Sequence, residues 1–212
     1  MRLGLVTIVT LVATGLLRAQ APPPEVKLPA SPRGTAAIQV GGSWSGTGDD
    51  RRYTGGSWIM VDYGRPIMRG RENIFGAGAS YGKTVNPDSA IWRAGANDTT
   101  RLTTQVPLEI GGKTIGAGVY SVLVDLKEGA WTLVLSTQAV QPKYDPNDKV
   151  QLYGAYNYDP KFDVLRAPMR LSTSTMSIEQ FTIGFADVKA DRGVLYMAWD
   201  RTVGSIDFTV RK

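Results

Sequence analysis

Arginine and aromatic side chains that are able to bind a ligand are concentrated in two short stretches of this sequence. They are Tyr63, Arg65, Arg69 and Arg71 in the first stretch, and Trp92, Arg93, Asn97 and Thr99 in the second. A planar guanidinium group pairs with both oxygens of a carboxylate or phosphate, so two or three that converge would form an anion site. These residues predict a ligand site. The alternative is that the arginines pin their loops to a sheet by pairing with Asp62, Glu72, Asp98 or Asp163.

A tyrosine-rich segment extends the aromatic part of this prediction. Tyr153, Tyr156 and Tyr158 follow a long polar loop, and Tyr120 lies in an earlier apolar run. Binding residues are often carried by loops on a rigid sheet. The glycine-rich surroundings of Trp92 indicate a loop, so these rings are expected to stack on a sugar or an aromatic ligand, unless they only cover the end of the fold.

Carboxylates supply the acid–base groups near these stretches. Asp159 and Asp163 lie four residues apart, beside Arg166. A glycosidase needs two carboxyl groups at a set separation with different pKa values, and spacing within a loop does not establish that. A carboxylate-dependent hydrolase, with Asp159 or Asp163 as the base and Arg93 stabilising negative charge, is therefore an alternative function. No catalytic residue is assigned.

Two residue types are missing, and their absence excludes several chemistries. The 212 residues include no histidine and no cysteine. The usual general base of serine and cysteine hydrolases, the commonest zinc ligand, thiolate nucleophiles and disulfides are therefore excluded. Neither a metal site nor a cofactor is predicted. The formal net charge of +5 comes without a block of like charge, so a nucleic-acid partner is not expected.

The first residues are typical of an export signal. Arg2 precedes an apolar stretch from Leu3 to Leu17, and Ala19-Gln20-Ala21 resembles a signal-peptide cleavage site. The apolar stretch is shorter than the ~20 residues that a membrane-spanning helix needs. We expect residues 1–21 to be a secretory signal peptide, the protein to be periplasmic or extracellular, and no stable membrane span to remain after cleavage.

The remainder of the chain is expected to be a linker and one domain. Residues 22–33 are rich in proline and predict a stiff linker, and residues 34–212 predict a single domain. Apolar and polar residues alternate there in many short runs separated by glycine-rich turns, which is typical of strands. The pattern predicts an all-β fold, an antiparallel β-sandwich of roughly eight to ten strands with long polar loops. At most one short helical turn is expected, between Pro66 and Phe75.

A succession of short motifs runs through most of the predicted domain. In order they are Asp62-Tyr63-Gly64-Arg65-Pro66, Arg69-Gly70-Arg71, Tyr81-Gly82-Lys83, Trp92-Arg93-Ala94-Gly95-Ala96-Asn97, Thr99-Thr100, Ala117-Gly118-Val119-Tyr120-Ser121 and Asp163-Val164-Leu165-Arg166. This succession resembles the DUF2911 family of exported bacterial proteins of unknown function, and the run from Trp92 to Asn97 is its most specific part. The resemblance implies an exported protein and supplies no activity.

A non-catalytic binding or interaction module accounts best for these features. Its arginine, tryptophan and asparagine side chains would bind a small anionic, carbohydrate or peptide ligand that is not yet identified, or another envelope protein. A glycosidase-like hydrolase and a purely structural envelope protein are the alternatives. An enzyme is expected to gather two carboxylates and an arginine in one cleft, whereas a binding module presents aromatic rings and arginines without a free carboxylate pair.

Overall fold

Alternating runs form strands throughout the part of the chain that the structure describes, which is Lys27 and residues 29–211 of a computed structural model. The predicted signal peptide and much of the predicted linker lie outside the described residues. The strands formed by the described residues are β1 (Arg33–Val40), β2 (Ser43–Ser45), β3 (Arg52–Thr54), β4 (Ser57–Gly64), β5 (Ile91–Trp92), β6 (Arg101–Thr104), β7 (Leu108–Ile110), β8 (Lys113–Ile115), β9 (Gly118–Asp125), β10 (Thr132–Ser136), β11 (Asp163–Pro168), β12 (Arg170–Ala186) and β13 (Arg192–Val210).

These strands form two sheets and a separate hairpin. The larger, seven-stranded sheet has the order β1-β4-β6-β9-β10-β11, with β5 added beside β9. The smaller sheet has the order β12-β13-β7-β8, and β2 pairs with β3 in the hairpin. Every pairing between named strands is antiparallel. The predicted fold class, an all-β antiparallel sandwich, is confirmed.

The strand number and the helical turns differ in detail from the prediction. Five of the thirteen strands within the described residues have only two or three residues, and eight are longer. Short 3-10 turns occur at Gly48–Asp50, Gly78–Ser80 and Pro160–Phe162. The prediction of a helical turn between Pro66 and Phe75 is wrong, because Arg69 and Asn73 have φ angles of 52° and 48°, which interrupt a right-handed helix.

No helix in the described part is long and apolar enough to cross a membrane.

Aromatic side chains fill the space between the two sheets. Alternation along β9 turns Tyr120, Val122 and Val124 inward, and all three are buried. A cluster of five rings forms the centre of the core. The rings come from both sheets and from the loop that follows β4, and they are Phe75, Trp92, Trp131, Phe181 and Trp199. Their ring centroids lie 4.7 to 6.3 Å apart, mostly in edge-to-face pairs. Pairs of this kind stabilise a fold beyond the burial of their area.

A long loop covers part of the outer face of the larger sheet. We call it the outer loop, and it comprises residues 137–159, between β10 and the last 3-10 turn. Leu123 and Val134 point away from the main core and pack against Leu152 of this loop. The buried side-chain amide of Gln138 donates to two carbonyl groups within the loop, at 2.9 and 2.7 Å. The outer loop is therefore an ordered third layer on the sandwich.

Candidate functional site

Arg65 attaches its loop to the smaller sheet. Its Nε lies 3.5 Å from the carbonyl oxygen of Phe181, and its Nη2 lies 3.4 Å from the hydroxyl of Thr182. The Arg65 backbone N–H donates to the carbonyl oxygen of Pro32 at 2.8 Å. The Arg65 guanidinium group therefore links its loop to the smaller sheet, and it does not face an open anion site.

Arg69 and Arg71 make separate contacts from the same loop. Arg71 donates to the carbonyl oxygens of Ile67 and Met68, at 2.7 and 2.9 Å, and its guanidinium lies 5.6 Å from the Trp199 ring centroid. The backbone N–H of Arg69 donates to the Glu179 carboxylate at 2.8 Å. The Arg71 side chain and the Arg69 backbone therefore hold the loop in place. Within the described residues, neither guanidinium group pairs with the carboxylates that the alternative interpretation names.

Trp92 belongs to the core, so the expectation that it lies in an exposed loop is wrong. Its two-residue strand, β5, pairs with β9 and directs the ring inward, where it is 1% exposed. The ring stacks on Trp199 at 6.3 Å with an interplanar angle of 14°. The indole Nε1 donates to the carbonyl oxygen of Gly95 at 3.2 Å. Trp92 has no surface to offer a ligand.

Tyr63 and Tyr120 are buried as well, and their hydroxyl groups bind the backbone. The Tyr63 hydroxyl donates to the carbonyl oxygen of Ile183 at 3.2 Å and accepts from its N–H at 2.9 Å. This links β4 to β12 across the sandwich. The Tyr120 hydroxyl donates to the carbonyl oxygen of Gly116 at 2.9 Å.

Arg93 and Thr99 hold the segment after β5 against the outer loop. Arg93 Nη1 donates to the carbonyl oxygen of Asn97 at 2.9 Å, and its guanidinium lies 5.9 Å from the Tyr156 ring centroid. Thr99 donates to the carbonyl oxygen of Gly154 at 3.4 Å. Gly154 has a φ of 60°, a left-handed conformation that favours glycine, and a Cβ there would displace the end of the Arg93 side chain, 2.6 Å away.

A small polar cavity of about 90 Å³ opens beside this segment. Predicted residues among its lining are Tyr63, Asn97 and Thr99, and its charged residues are Arg33, Asp62, Asp98 and Arg101. Asp62 and Arg101 face each other across β4 and β6. Among the described residues neither has an ion-pair partner, although Asp62 accepts a hydrogen bond from the Thr35 hydroxyl. The cavity therefore presents one carboxylate and one guanidinium to a ligand.

Asp98, in contrast, is already engaged by the protein. Arg33 pairs with its Oδ2, and the Tyr153 hydroxyl donates to its Oδ1 at 3.2 Å. The hydrogen bond from Arg33 is the main cause that lowers the pKa of Asp98, although partial burial opposes it. Asp98 stays ionised and orders the wall of the cavity.

Three tyrosines of the outer loop, which we call the tyrosine cluster, lie outside the lining of the cavity and contact it through Asp98. The Tyr144 ring centroid lies 5.1 Å from that of Tyr153 and 6.3 Å from that of Tyr156. Tyr144 and Tyr156 are each 52% exposed. The bond from Tyr153 to Asp98 joins the cluster to the cavity. Exposed rings beside a few polar groups are the arrangement that ligand sites use.

The predicted carboxylates Asp159 and Asp163 belong to separate ion pairs. Asp159 caps a 3-10 turn by accepting from the backbone N–H of Lys161 at 3.0 Å, and the Lys161 side chain at 2.6 Å lowers its pKa. Asp163 accepts from Arg166 at 3.0 Å and from the Tyr158 hydroxyl. The structure does not assemble them as a catalytic pair.

Arg166 is the centre of a network that fastens the outer loop to the larger sheet. It pairs with Asp163 and also with Asp125 of β9, at 2.5 Å. Burial raises the pKa of Tyr158, so its hydroxyl stays protonated and donates to Asp163. The Asp163 side chain is only 7% exposed, and its Oδ1 has no hydrogen-bond partner within the described part of the chain. These contacts are structural.

Sequence reasoning missed Arg33, Arg101 and Tyr144 and named Asp62 and Asp98 only as partners for other arginines. Arg33 falls at the end of the predicted linker and is the first residue of β1. The alternation of apolar and polar side chains along β6 could have indicated Arg101, because it places that side chain on the polar face of the strand. The pairing of β4 with β6, which the sequence does not reveal, brings Arg101 opposite Asp62.

In the described residues no group of three or more Asp and Glu side chains is placed to hold a metal ion.

The pKa of Asp98 is expected to depend on Arg33. A folded-state pKa below the ordinary value of about 3.9 contributes stability above that pH, and the contribution is lost as the pH falls through the folded-state pKa. Arg33→Ala should raise the pKa of Asp98 toward its ordinary value, as NMR titration of the side-chain carboxyl carbon would show. Arg170→Ala is the control, because it should raise the pKa of Asp207 instead. An Asp98 titration unchanged by Arg33→Ala would contradict the assignment.

Together the fold and the site define the class of protein: an antiparallel β-sandwich with a polar cavity and exposed tyrosines on its larger sheet. A family model described as a protein of unknown function (DUF2911) matches residues 49–208. The match covers most of the chain, so this chain belongs to the DUF2911 family, as its motifs indicate. Neither a search of curated proteins nor a search of solved structures found a match.

Proposed function

We propose that this protein is an exported binding module whose ligand is a saccharide, held at the polar cavity and the tyrosine cluster. One observation carries the proposal. The tyrosine cluster, in which Tyr144 and Tyr156 are exposed, is joined through the hydrogen bond from Tyr153 to Asp98 to a cavity where Asp62 and Arg101 have no ion-pair partner among the described residues. Exposed rings offer an apolar face to a sugar ring, and the charged pair offers hydrogen bonds to its hydroxyl groups.

The hydrogen-bonding capacity of the cavity favours hydroxyl groups over a simple anion. An ionised carboxylate such as Asp62 only accepts hydrogen bonds, and a guanidinium such as Arg101 only donates them. A hydroxyl group both donates and accepts, so neighbouring hydroxyls of one sugar satisfy both residues. The side chain of Asn97, which both donates and accepts, also lines the cavity. An anion would pair with Arg101 and be repelled by Asp62.

Binding is favoured over hydrolysis by the state of the carboxylates. The cavity does hold two carboxylates and arginines, as expected of an enzyme. A glycosidase needs a general acid whose pKa is raised, beside a second, ionised carboxylate. Asp98 instead has a lowered pKa, and Arg33 and Tyr153 already occupy its oxygens. This supports a site that holds a sugar without cleaving it.

Export belongs to the same proposal and rests on the N-terminal sequence. Arg2, the apolar stretch after it and Ala19-Gln20-Ala21 are the features that support a cleaved signal peptide. The protein recovered from the periplasmic or culture fraction of cells that express the full chain should begin near residue 22. An uncut N-terminus retained in the cytoplasm would contradict export.

The exported protein should be tested by thermal shift and calorimetry against neutral mono- and oligosaccharides. A ligand at 100 times its Kd stabilises the folded state by about 2.7 kcal/mol. Tyr156→Ala and Arg101→Ala should each weaken binding at least tenfold without lowering the melting temperature, because Tyr156 and Arg101 are both exposed. Arg69→Ala is the matched control, since its exposed side chain lies on another loop.

Two results would overturn this proposal. The first is that no saccharide shifts the melting temperature. The second is that Arg69→Ala weakens binding as much as Arg101→Ala, which would show a general charge effect in place of a site.

A further inference from the structure

The hairpin of β2 and β3 presents an exposed tryptophan far from the polar cavity. Trp44 is 61% exposed, the most of the five tryptophans in the chain. The cavity lies where Arg33 pairs with Gly64, and the hairpin follows the opposite end of β1, where Val40 pairs with Ser57. Seven residues at a rise of ~3.3 Å separate the two ends by about 23 Å. Trp44 is therefore outside the site already proposed.

Tyr53 supports Trp44 and is itself fixed in place. The two residues are opposite each other in the hairpin, and their ring centroids lie 5.4 Å apart. The Tyr53 hydroxyl accepts from the Gly42 N–H at 2.9 Å. A Cβ at Gly42 or at Gly56 would lie 2.6 Å from the Tyr53 ring, so this ring rests directly on the backbone at two glycines. Trp44 and Tyr53 therefore form an aromatic surface whose position is fixed by the contacts of Tyr53 with the backbone.

A groove of about 590 Å³ runs between this aromatic pair and the turn that joins β12 to β13. Its volume is within the range of ~300–1,000 Å³ that small-ligand sites occupy. Val188 and Lys189 of the turn line it opposite Trp44 and Tyr53. The groove thus has an aromatic wall on one side and, on the other, one lysine between the apolar Val188 and Ala190.

Among the described residues that line the groove, the one charged residue is a lysine, Lys189. The Arg51 guanidinium lies 5.0 Å from the Trp44 ring centroid, and Lys189 lines the groove. Within the described residues, neither cation has a carboxylate partner. Asp49 and Asp50 occupy the 3-10 turn at the hairpin tip, and Asp187 and Asp191 lie two residues before and after Lys189, but none of these four carboxylates lines the groove. An acidic tip is unsuited to insertion into an anionic membrane surface.

We propose that this groove is a second binding site, and that its ligand is an acidic saccharide, a sugar chain that bears carboxylates. The sugar faces pack on Trp44 and Tyr53, and the carboxylates pair with Arg51 and Lys189. This site uses none of the residues of the polar cavity or the tyrosine cluster. It stands whether or not that first site binds a sugar.

The test measures binding of trigalacturonate and of its neutral methyl ester to the exported protein by calorimetry. The acid should bind at least tenfold more tightly than the ester. Trp44→Ala should weaken binding of the acid at least tenfold, and Lys189→Gln severalfold. Trp58→Ala is the matched control, because Trp58 is also partly exposed, at 41%, and does not line the groove. Tyr156→Ala should leave binding of the acid unchanged, since it belongs to the first site.

Equal binding of acid and ester, or full binding by Trp44→Ala, would overturn the inference. Loss of binding in Tyr156→Ala with full binding in Trp44→Ala would place the acidic sugar at the first site, so the inference would fail while the proposed function survived. Failure of trigalacturonate to bind, with Trp44-dependent sedimentation on anionic vesicles, would identify a membrane contact instead and would also overturn it.

Discussion

Trp92→Ala is expected to lower the free energy of unfolding by about 3–5 kcal/mol, the range for removing a large buried aromatic side chain. The ring contacts Phe75, Trp131, Phe181 and Trp199 at the centre of the core, so its removal leaves a cavity that both sheets line. The hydrogen bond from the indole Nε1 to the Gly95 carbonyl is lost as well. Urea unfolding followed by far-UV circular dichroism measures the change.

Two further variants, Trp92→Phe and Trp58→Ala, are the controls for this prediction. The phenylalanine variant keeps most of the ring volume, so it should remain folded and lose much less stability even if the alanine variant does not fold. Trp58 is partly exposed, and its removal should cost less than about 1 kcal/mol. A Trp92→Ala protein as stable as Trp58→Ala would mean that Trp92 is not in the core.

Gly64→Ala is expected to lower the free energy of unfolding by about 3 kcal/mol, at the upper end of the usual overpacking range. A Cβ at Gly64 would lie 2.0 Å from the carbonyl oxygen of Ala96. A backbone carbonyl cannot rotate away as a side chain does, so β4 and the segment after β5 must separate. Both Gly64 and Ala96 line the polar cavity, and saccharide binding there should fall together with stability.

Gly116→Ala is the matched control for this second change. A Cβ there would have only the Tyr120 hydroxyl nearby, at 3.9 Å. Its effect on urea unfolding should be below about 1 kcal/mol. If Gly64→Ala were no more damaging than Gly116→Ala, then the close approach of the two backbones would not exist in solution.

Local patterns of the sequence were sufficient to predict the fold class. Alternation along residues 119–126 located β9 to within one residue at each end, and Gly111-Gly112 located the hairpin of β7 and β8. These signals are local, because side-chain alternation and turn glycines act within a few residues. The same signals say nothing about which strands become neighbours, and the sheet order came only from the structure.

The candidate site was harder to predict because its charged groups come together through pairing over a long distance. Trp92 was expected in a loop, since a two-residue strand such as β5 has no periodicity to reveal it. For Arg65 the sequence leaves open an anion site or a structural role, and its contacts are with Phe181 and Thr182, more than 110 residues away. Asp62 meets Arg101 through the register of β4 and β6. Register depends on how whole strands pair, and a single residue type does not determine it.

The outer loop is held together largely by hydrogen bonds between its own residues. The side-chain amides of Gln141 and Asn157 both donate to the carbonyl oxygens of Asp148 and Gln151, so the loop satisfies many of its own polar groups. Its apolar contact with the sheet is made by Leu152, with Val140, Ala155 and Tyr158 packed around it. Under the proposed function, a grafted loop of other sequence that keeps these apolar contacts should change which saccharide binds while the sandwich stays folded.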